Sequence, residues 1–271
     1  MTGGEDKDNR SWIDKIRARS GLLSGKQDTA PNTAPLGRSM RMGLGDSLGS
    51  AGARQAYERS IAKDKQRSKA NQRANLLDMP LSELPVVIID LETTGFEPQA
   101  DAIISMGGWH ITGTNWDEGE DHSFYEMVNP GMRIPSYIES LTGITNNVAG
   151  QARRLSDVLP ELLAFMDNRL IIAHGIGHDK AFLRTALWRC QKRTWNYRML
   201  DTMLLAKWLN PEAKPFDLDT LTAHYEIPIE IRHHALFDAK ATGELWIRFL
   251  EQSLAKRITT LRDMYMYLSR Y

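Results

Sequence analysis

Cysteine is almost missing: Cys190 stands alone among 271 residues. The chain can form no internal disulfide, which suits a reducing compartment. Long apolar runs are missing too, and none approaches the roughly 18 residues that a membrane span needs. The first residues are polar and contain no apolar core of a secretion signal, so the expected location is the cytoplasm. Net charge is also absent, since 34 Lys/Arg balance 34 Asp/Glu. That balance hides a split. Residues 1–80 hold 15 Lys/Arg against 9 Asp/Glu, which leaves 19 against 25 for residues 81–271. A net-negative globular part argues against a broad nonspecific grip on polyanions.

The first 80 residues read as a polar, largely flexible basic arm. Residues 24–53 are rich in Gly, Ser, Ala, Pro and Thr and keep no period. Ser11 can cap a short helix carrying Trp12, Ile13 and Ile16, and residues 54–76 are strongly polar. A charge run of that kind is a solvated face, or else a contact for nucleic acid or an acidic partner. The folded domain is expected over residues 81–271.

Within it, residues 86–95, Val-Val-Ile-Ile-Asp-Leu-Glu-Thr-Thr-Gly, open on four β-branched residues. A short apolar run without alternation reads as a strand buried on both faces. Asp90 and Glu92 lie two apart, so on a strand both point to the same side. Two acids there repel each other unless a cation sits between them, and Mg²⁺ suits such oxygen ligands. Taken alone, the pair reads equally well as a strand ending in a polar turn.

Residues 102–112 and 121–128 read as two further strands joined by a polar turn at 115–120, hence antiparallel. Residues 131–150 read as an irregular connection. Leu155, Val158, Leu159, Leu162, Leu163 and Met166 have helical spacing, with Pro160 tolerable only near the first turn. A buried strand at 169–174 precedes a helix from His178 to about Gln191. Further elements are a short strand at 198–201, helices over about 201–209, 217–225 and 235–253, and a C-terminal helix over 261–268. Strands first, then alternating helices and strands, give an α/β fold with a mixed sheet.

Three places set acids beside buried strands or helix starts: Asp90/Glu92, Asp179, and Asp238 within HHALFDAKAT. Each alone is ordinary, because an acid in a first helical turn is favourable with the helix dipole. Their order and context resemble the DnaQ-like 3′–5′ exonucleases of the DEDDh type. VIIDLETTG resembles that family's first motif, IAHGIGHDKAFL its second and HHALFDAKAT its third, over about residues 84–250. LTGIT and LDTMLLAKWL resemble its connecting segments.

The resemblance implies an RNase H-like fold, a mixed five-stranded sheet with helices on both faces. It implies that Asp90, Glu92, Asp179 and Asp238 hold two Mg²⁺ or Mn²⁺ ions, with no Lys or Arg of the motifs neutralising them. It implies His233 as general base, Thr93, Thr94 and Phe182 as substrate contacts, and a nucleoside 5′-monophosphate product. The implied substrate is the 3′ end of single-stranded DNA, with RNA the alternative and a catalytically silent binding module the reading from another class. A site that takes only a strand end needs little of the polyanion grip that the charge balance denies. The arm is the candidate contact for a replication or repair protein.

The second motif departs from the family pattern at Gly175 and His178, which changes the hydrogen bonding around it. His178 reads as a solvated helix-start residue or a phosphate contact. His174 reads either as a partner of Asp179 or as a core histidine. Asp201 reads as a helix cap. Trp188, Trp208 and Trp246 read as core, and Trp195 as the better candidate for stacking on bases. In a helix that already began at residue 233, His234 would share the face of Asp238, whereas the resemblance selects His233. A helix that starts after both histidines removes the conflict. His233 is the expected base, with His234 supporting.

Overall fold

The computed structural model describes residues 76–119 and 121–269. The helix expected at Ser11 and the basic stretch through residue 75 lie outside the described residues. The folded part begins before residue 81. Leu76 is buried, Arg262 pairs with Asp78 at 2.6 Å, and the Leu81 amide donates to the Thr259 carbonyl at 2.8 Å. Residues 76–80 therefore belong to the domain rather than to the arm.

The elements run β1 (Pro85–Thr93), β2 (Ile103–Thr112), β3 (Asn115–Trp116), β4 (Ser123–Asn129), α1 (Ser136–Thr142), α2 (Asn146–Gln151), β5 (Arg153–Arg154), α3 (Leu155–Phe165), β6 (Leu170–Ala173), α4 (Gly177–Gln191), β7 (Met199–Asp201), α5 (Thr202–Leu209), α6 (Leu218–His224), α7 (Ala235–Ala255) and α8 (Leu261–Leu268). The sheet order is β5-β4-β2-β1-β6-β7, with β3 paired to β2. β1, β2 and β4 are antiparallel neighbours, and β6 and β7 continue the sheet in parallel with β1. The five expected strands are all present. β3 and β5 are two-residue additions, and β3 lies inside the expected turn.

β1 is central, and its pleat sorts its side chains. Val87, Ile89 and Leu91 enter a core shared with Val158, Leu162 of α3 and Leu183, Leu187 of α4. Each such buried side chain contributes on the order of 1.5–3 kcal/mol. Asp90 and Glu92 lie on the opposite face, the side covered by α7. Helices on both faces are what a β1 without apolar alternation requires.

Two local expectations are corrected. Residues 131–150 are not irregular, since they hold α1 and α2. Gly143, at φ 72°, ends α1, and the Thr145 side chain accepts from the Val148 amide to start α2. Two helices of six and seven residues are too short to show a sustained apolar period. Ile138 and Ala149 anchor them in a small cluster with Ile104 and Ile134. Second, α3 runs straight through Pro160, beyond its first turn. The proline ring is on the exposed face, and the carbonyl it leaves without an amide belongs to Ser156, itself exposed at the start of the helix.

Candidate active site

Three acids meet at one end of β1. Asp90 and Glu92 come from β1 and Asp238 from the first turn of α7, and their carboxylate oxygens lie within 4.8 Å of one another. Gly107 makes this possible. It pairs with Asp90 across β1 and β2, and a Cβ there would lie 2.3 Å from the Ala235 carbonyl carbon. Only glycine lets the start of α7 rest on the sheet beside Asp90.

Asp179, in the first turn of α4, is 4% exposed and stands outside that group of three. Burial raises the Asp90 carboxyl well above its usual range, and the Asp179 charge is the largest neighbouring contribution, followed by Glu92 and Asp238. Burial lifts Glu92 to about 8, helped by Asp238, and lifts Asp179 to about 7. Asp238 is also raised by burial, against the pull of Arg232.

The expectation of acids without a cationic partner concerned the motifs alone, and Arg232 lies outside them. It stands one residue before the third motif, and its guanidinium pairs with Asp238 Oδ2 and with Asp219. The other Asp238 oxygen, Oδ1, is buried without a hydrogen-bond partner. A lone oxygen acceptor inside an all-carboxylate group suits a hard divalent cation, which takes oxygen ligands and offsets the mutual repulsion.

α7 begins at Ala235, so both histidines precede it. His233 adopts φ 55°, and its backbone amide donates to Asp238 Oδ2 at 3.1 Å. Its side chain is half-buried. His234 is 7% exposed, stacked on Tyr125 with ring centroids 4.5 Å apart and edge-on to Phe237. Burial pushes its imidazole down to about 4.

A model of the RNase_T exonuclease family matches residues 87–246. The chain belongs to this exonuclease family. The DNA polymerase III PolC-type protein of Thermotoga maritima is 30% identical over 187 residues, 69% of this chain and 13% of that relative. The Clostridium perfringens counterpart is 32% identical over 185 residues, 66% of this chain and 12% of that relative. The chain thus spans about an eighth of the length of these relatives. Among solved structures, E. coli exonuclease I in complex with a dT13 oligonucleotide has a TM-score of 0.56 at 16% identity, covering 65% of this chain and 43% of that one. Exonuclease X in complex with 5′ overhanging duplex DNA has a TM-score of 0.51 at 20% identity, covering 62% and 92%. The fold is RNase H-like, as the motifs implied.

Around this carboxylate group several residues are placed differently from expectation. Thr93 and Thr94 are buried, and their hydroxyls are engaged within the chain. Thr93 donates to the Gly95 carbonyl at 2.7 Å and lies 3.2 Å from His178 Nε2, while Thr94 donates to Asp101 at 3.1 Å. Phe182 is 3% exposed and belongs to the core, so it backs the site rather than facing a substrate. Its ring supports His178 at 4.7 Å, and the other neighbour of His178 is Phe96 at 5.9 Å. His178 is therefore half-buried between two aromatic rings. Nothing in the pattern of charges or apolar residues singled out Phe96, which is 79% exposed directly after the first motif.

His174 bonds Thr202 at 2.9 Å, which leaves the link to Asp179 unsupported. Asp201 caps α5 through the Met203 amide and also accepts from the Gly175 and Ile176 amides. Gly175 thus joins the local bonding through its backbone. The tryptophans are partly reversed: Trp246 is fully buried, but Trp188 is 55% exposed and Trp195 packs onto the core.

Proposed function

We propose that the chain is a metal-dependent 3′–5′ exonuclease that removes nucleoside 5′-monophosphates from the ends of single-stranded DNA, in replication, repair or end processing. The observation that carries this reading is the convergence of Asp90, Glu92 and Asp238 within 4.8 Å, with the nearby Asp179 charge raising the Asp90 and Glu92 carboxyls. DNA is favoured because the matched relatives are DNA polymerases and two similar folds are described in complex with DNA.

In this reading Asp90, Glu92, Asp179 and Asp238 hold two Mg²⁺ or Mn²⁺ ions. Bound divalent ions supply Lewis acidity at the scissile phosphate and activate water for in-line attack. His233 accepts the proton of the attacking water, and its place before α7 leaves the imidazole free to approach a bound substrate. His234 fixes the turn by stacking on Tyr125. The exposed ring of Phe96 offers a stacking face to the terminal base. Thr93 and Thr94 shape the backbone on which the 3′-hydroxyl rests. The N-terminal basic arm is the contact for a replication or repair protein.

Matched DNA and RNA oligonucleotides labelled at the 5′ end test the reading. With Mg²⁺ or Mn²⁺ the DNA should shorten stepwise while keeping its label, and EDTA should stop the reaction. Release of the label as the first product, intact DNA beside degraded RNA, or undiminished activity in EDTA would each overturn it.

A further inference from the structure

Beyond the carboxylate centre, a groove of about 730 Å³ runs along the outer side of α4. Lys180, Arg184 and Trp188 follow one another at a spacing of four, so they share one face of the helix. They cover about 12 Å of its length at 1.5 Å per residue. Arg189 and Arg193 complete the positive lining, and among the described residues no Asp or Glu contributes to it. Among the described residues, none of these four cations has an ion pair with a carboxylate. That is unexpected in a domain with more acids than bases.

Both walls of the groove belong to segments that also carry site residues. One wall is α4, whose first turn carries Asp179 immediately before Lys180. The other is the loop that follows Glu92 and Phe96, tied to α4 by Gln99: its carbonyl accepts from Arg189 at 2.7 Å and its side chain donates to Thr185 at 3.3 Å. Within the groove Trp188 is 55% exposed, and Lys192 lies 5.6 Å over its ring.

We propose that this groove is a second subsite that holds the single strand upstream of the 3′-terminal nucleotide. The proposal rests on the exonuclease reading for its direction of entry. Phosphodiesters at regular spacing match cations spaced one helical turn apart, and the exposed indole provides a stacking platform that tolerates any base. An acidic peptide would satisfy the cations but would have no use for the exposed indole. The proposal also accounts for a domain that is acidic on balance and still retains a strand: its positive charge is concentrated along one path.

The test compares two substrates and one binding measurement. Thymidine 5′-(p-nitrophenyl phosphate) reads the carboxylate centre alone, and a single strand of about 15 nucleotides reads centre and groove together. Arg184→Glu with Arg193→Glu should lower the ratio of kcat/KM for the strand to that for the small ester at least tenfold. It should also flatten the dependence of log Kd on log salt by about 1.4, from two lost phosphate contacts on a single strand. Trp188→Ala should weaken strand binding about tenfold. Binding is followed by anisotropy of the labelled strand in EDTA, so it is read whether or not the chain turns over. Unfolding curves establish that each variant is folded, and Arg184→Gln serves if the charge reversal is not. A missing ester activity with groove-dependent strand binding would sink the exonuclease reading and leave the subsite standing. An unchanged ratio, an unchanged salt slope, or displacement of the strand by polyglutamate as efficiently as by unlabelled DNA would overturn the subsite.

Discussion

Gly107 lies beneath Ala235 so closely that a Cβ on the glycine would sit 2.3 Å from the Ala235 carbonyl carbon. Gly107 is the partner of Asp90 on β2, and Ala235 opens the helix that presents Asp238. The strand acids and the helix acid share one site because of this contact. Gly107→Ala should therefore push α7 outward. The expected cost is about 1–3 kcal/mol in stability, typical of overpacking, together with a large loss of turnover. Denaturant unfolding and the oligonucleotide assay measure the two effects. A variant with parental stability and activity would show that α7 is not positioned by this glycine.

Stability without metal should depend on pH in a definite direction. Glu92 and Asp179 titrate near 8 and 7 in the folded chain, against ordinary values of 4.5 and 3.8. Between those limits the folded chain holds protons that the unfolded chain has released, so stability falls as pH rises. His110, His174, His178 and His234, all lowered by burial, act in the opposite sense up to and somewhat above their ordinary value of 6.5. From about pH 7 to 8 the carboxylates outweigh them. In chelator, Tm should drop across that window, Glu92→Gln should flatten the drop, and Mg²⁺ should stabilise more at about pH 8 than at about pH 7. A Tm in chelator that stays level or rises over this interval would contradict the assignment.

His233 and His234 should separate cleanly in mutagenesis. His233→Asn keeps a residue type that tolerates the observed φ of 55° while removing the imidazole. Its turnover should fall about 10²–10⁴-fold, the usual contribution of a general base, with metal binding retained. His234→Ala should instead lower Tm, because it removes the ring that stacks on Tyr125. If turnover collapses with His234→Ala and survives His233→Asn, the base has been assigned to the wrong histidine.

A divalent cation held by Asp238 would compete with Arg232 for the same carboxylate. Removing the guanidinium, as in Arg232→Gln, frees Asp238 Oδ2 and leaves a more negative site. Half-maximal Mn²⁺ in calorimetric titration should shift to lower concentration, and the metal-free protein should lose stability because a buried carboxylate has lost its partner. Weaker Mn²⁺ binding in this variant would mean that the arginine supports the bound metal rather than competing with it.

Much of this was legible in one dimension. The β-branched run before Asp90 needed no partner to be recognised as a central strand, because unbroken apolarity is itself the signature of burial on both faces. The alternation of the strand put Asp90 and Glu92 on one side. The spacing of apolar residues marked α3, α7 and α8, since helical period is a local property.

Relations between distant segments were decided only in three dimensions. No local pattern announces that Gly107 must be small because of Ala235, that Arg232 finds Asp238, or that the loop carrying Gln99 meets α4 to close a groove. Trp188 and Trp195 show the limit most directly. Both sit in mixed surroundings in sequence, and helical spacing made Trp188 look internal. Which face of α4 is covered depends on the sheet beneath it, and that sheet takes Phe182, Leu183 and Leu187, leaving Trp188 to solvent. The residues themselves determined the acids and their chemistry. The packing of one helix against one glycine decided that they form a site, because only a close approach of backbone to backbone brings charges from residues 90 and 238 within reach of a single cation.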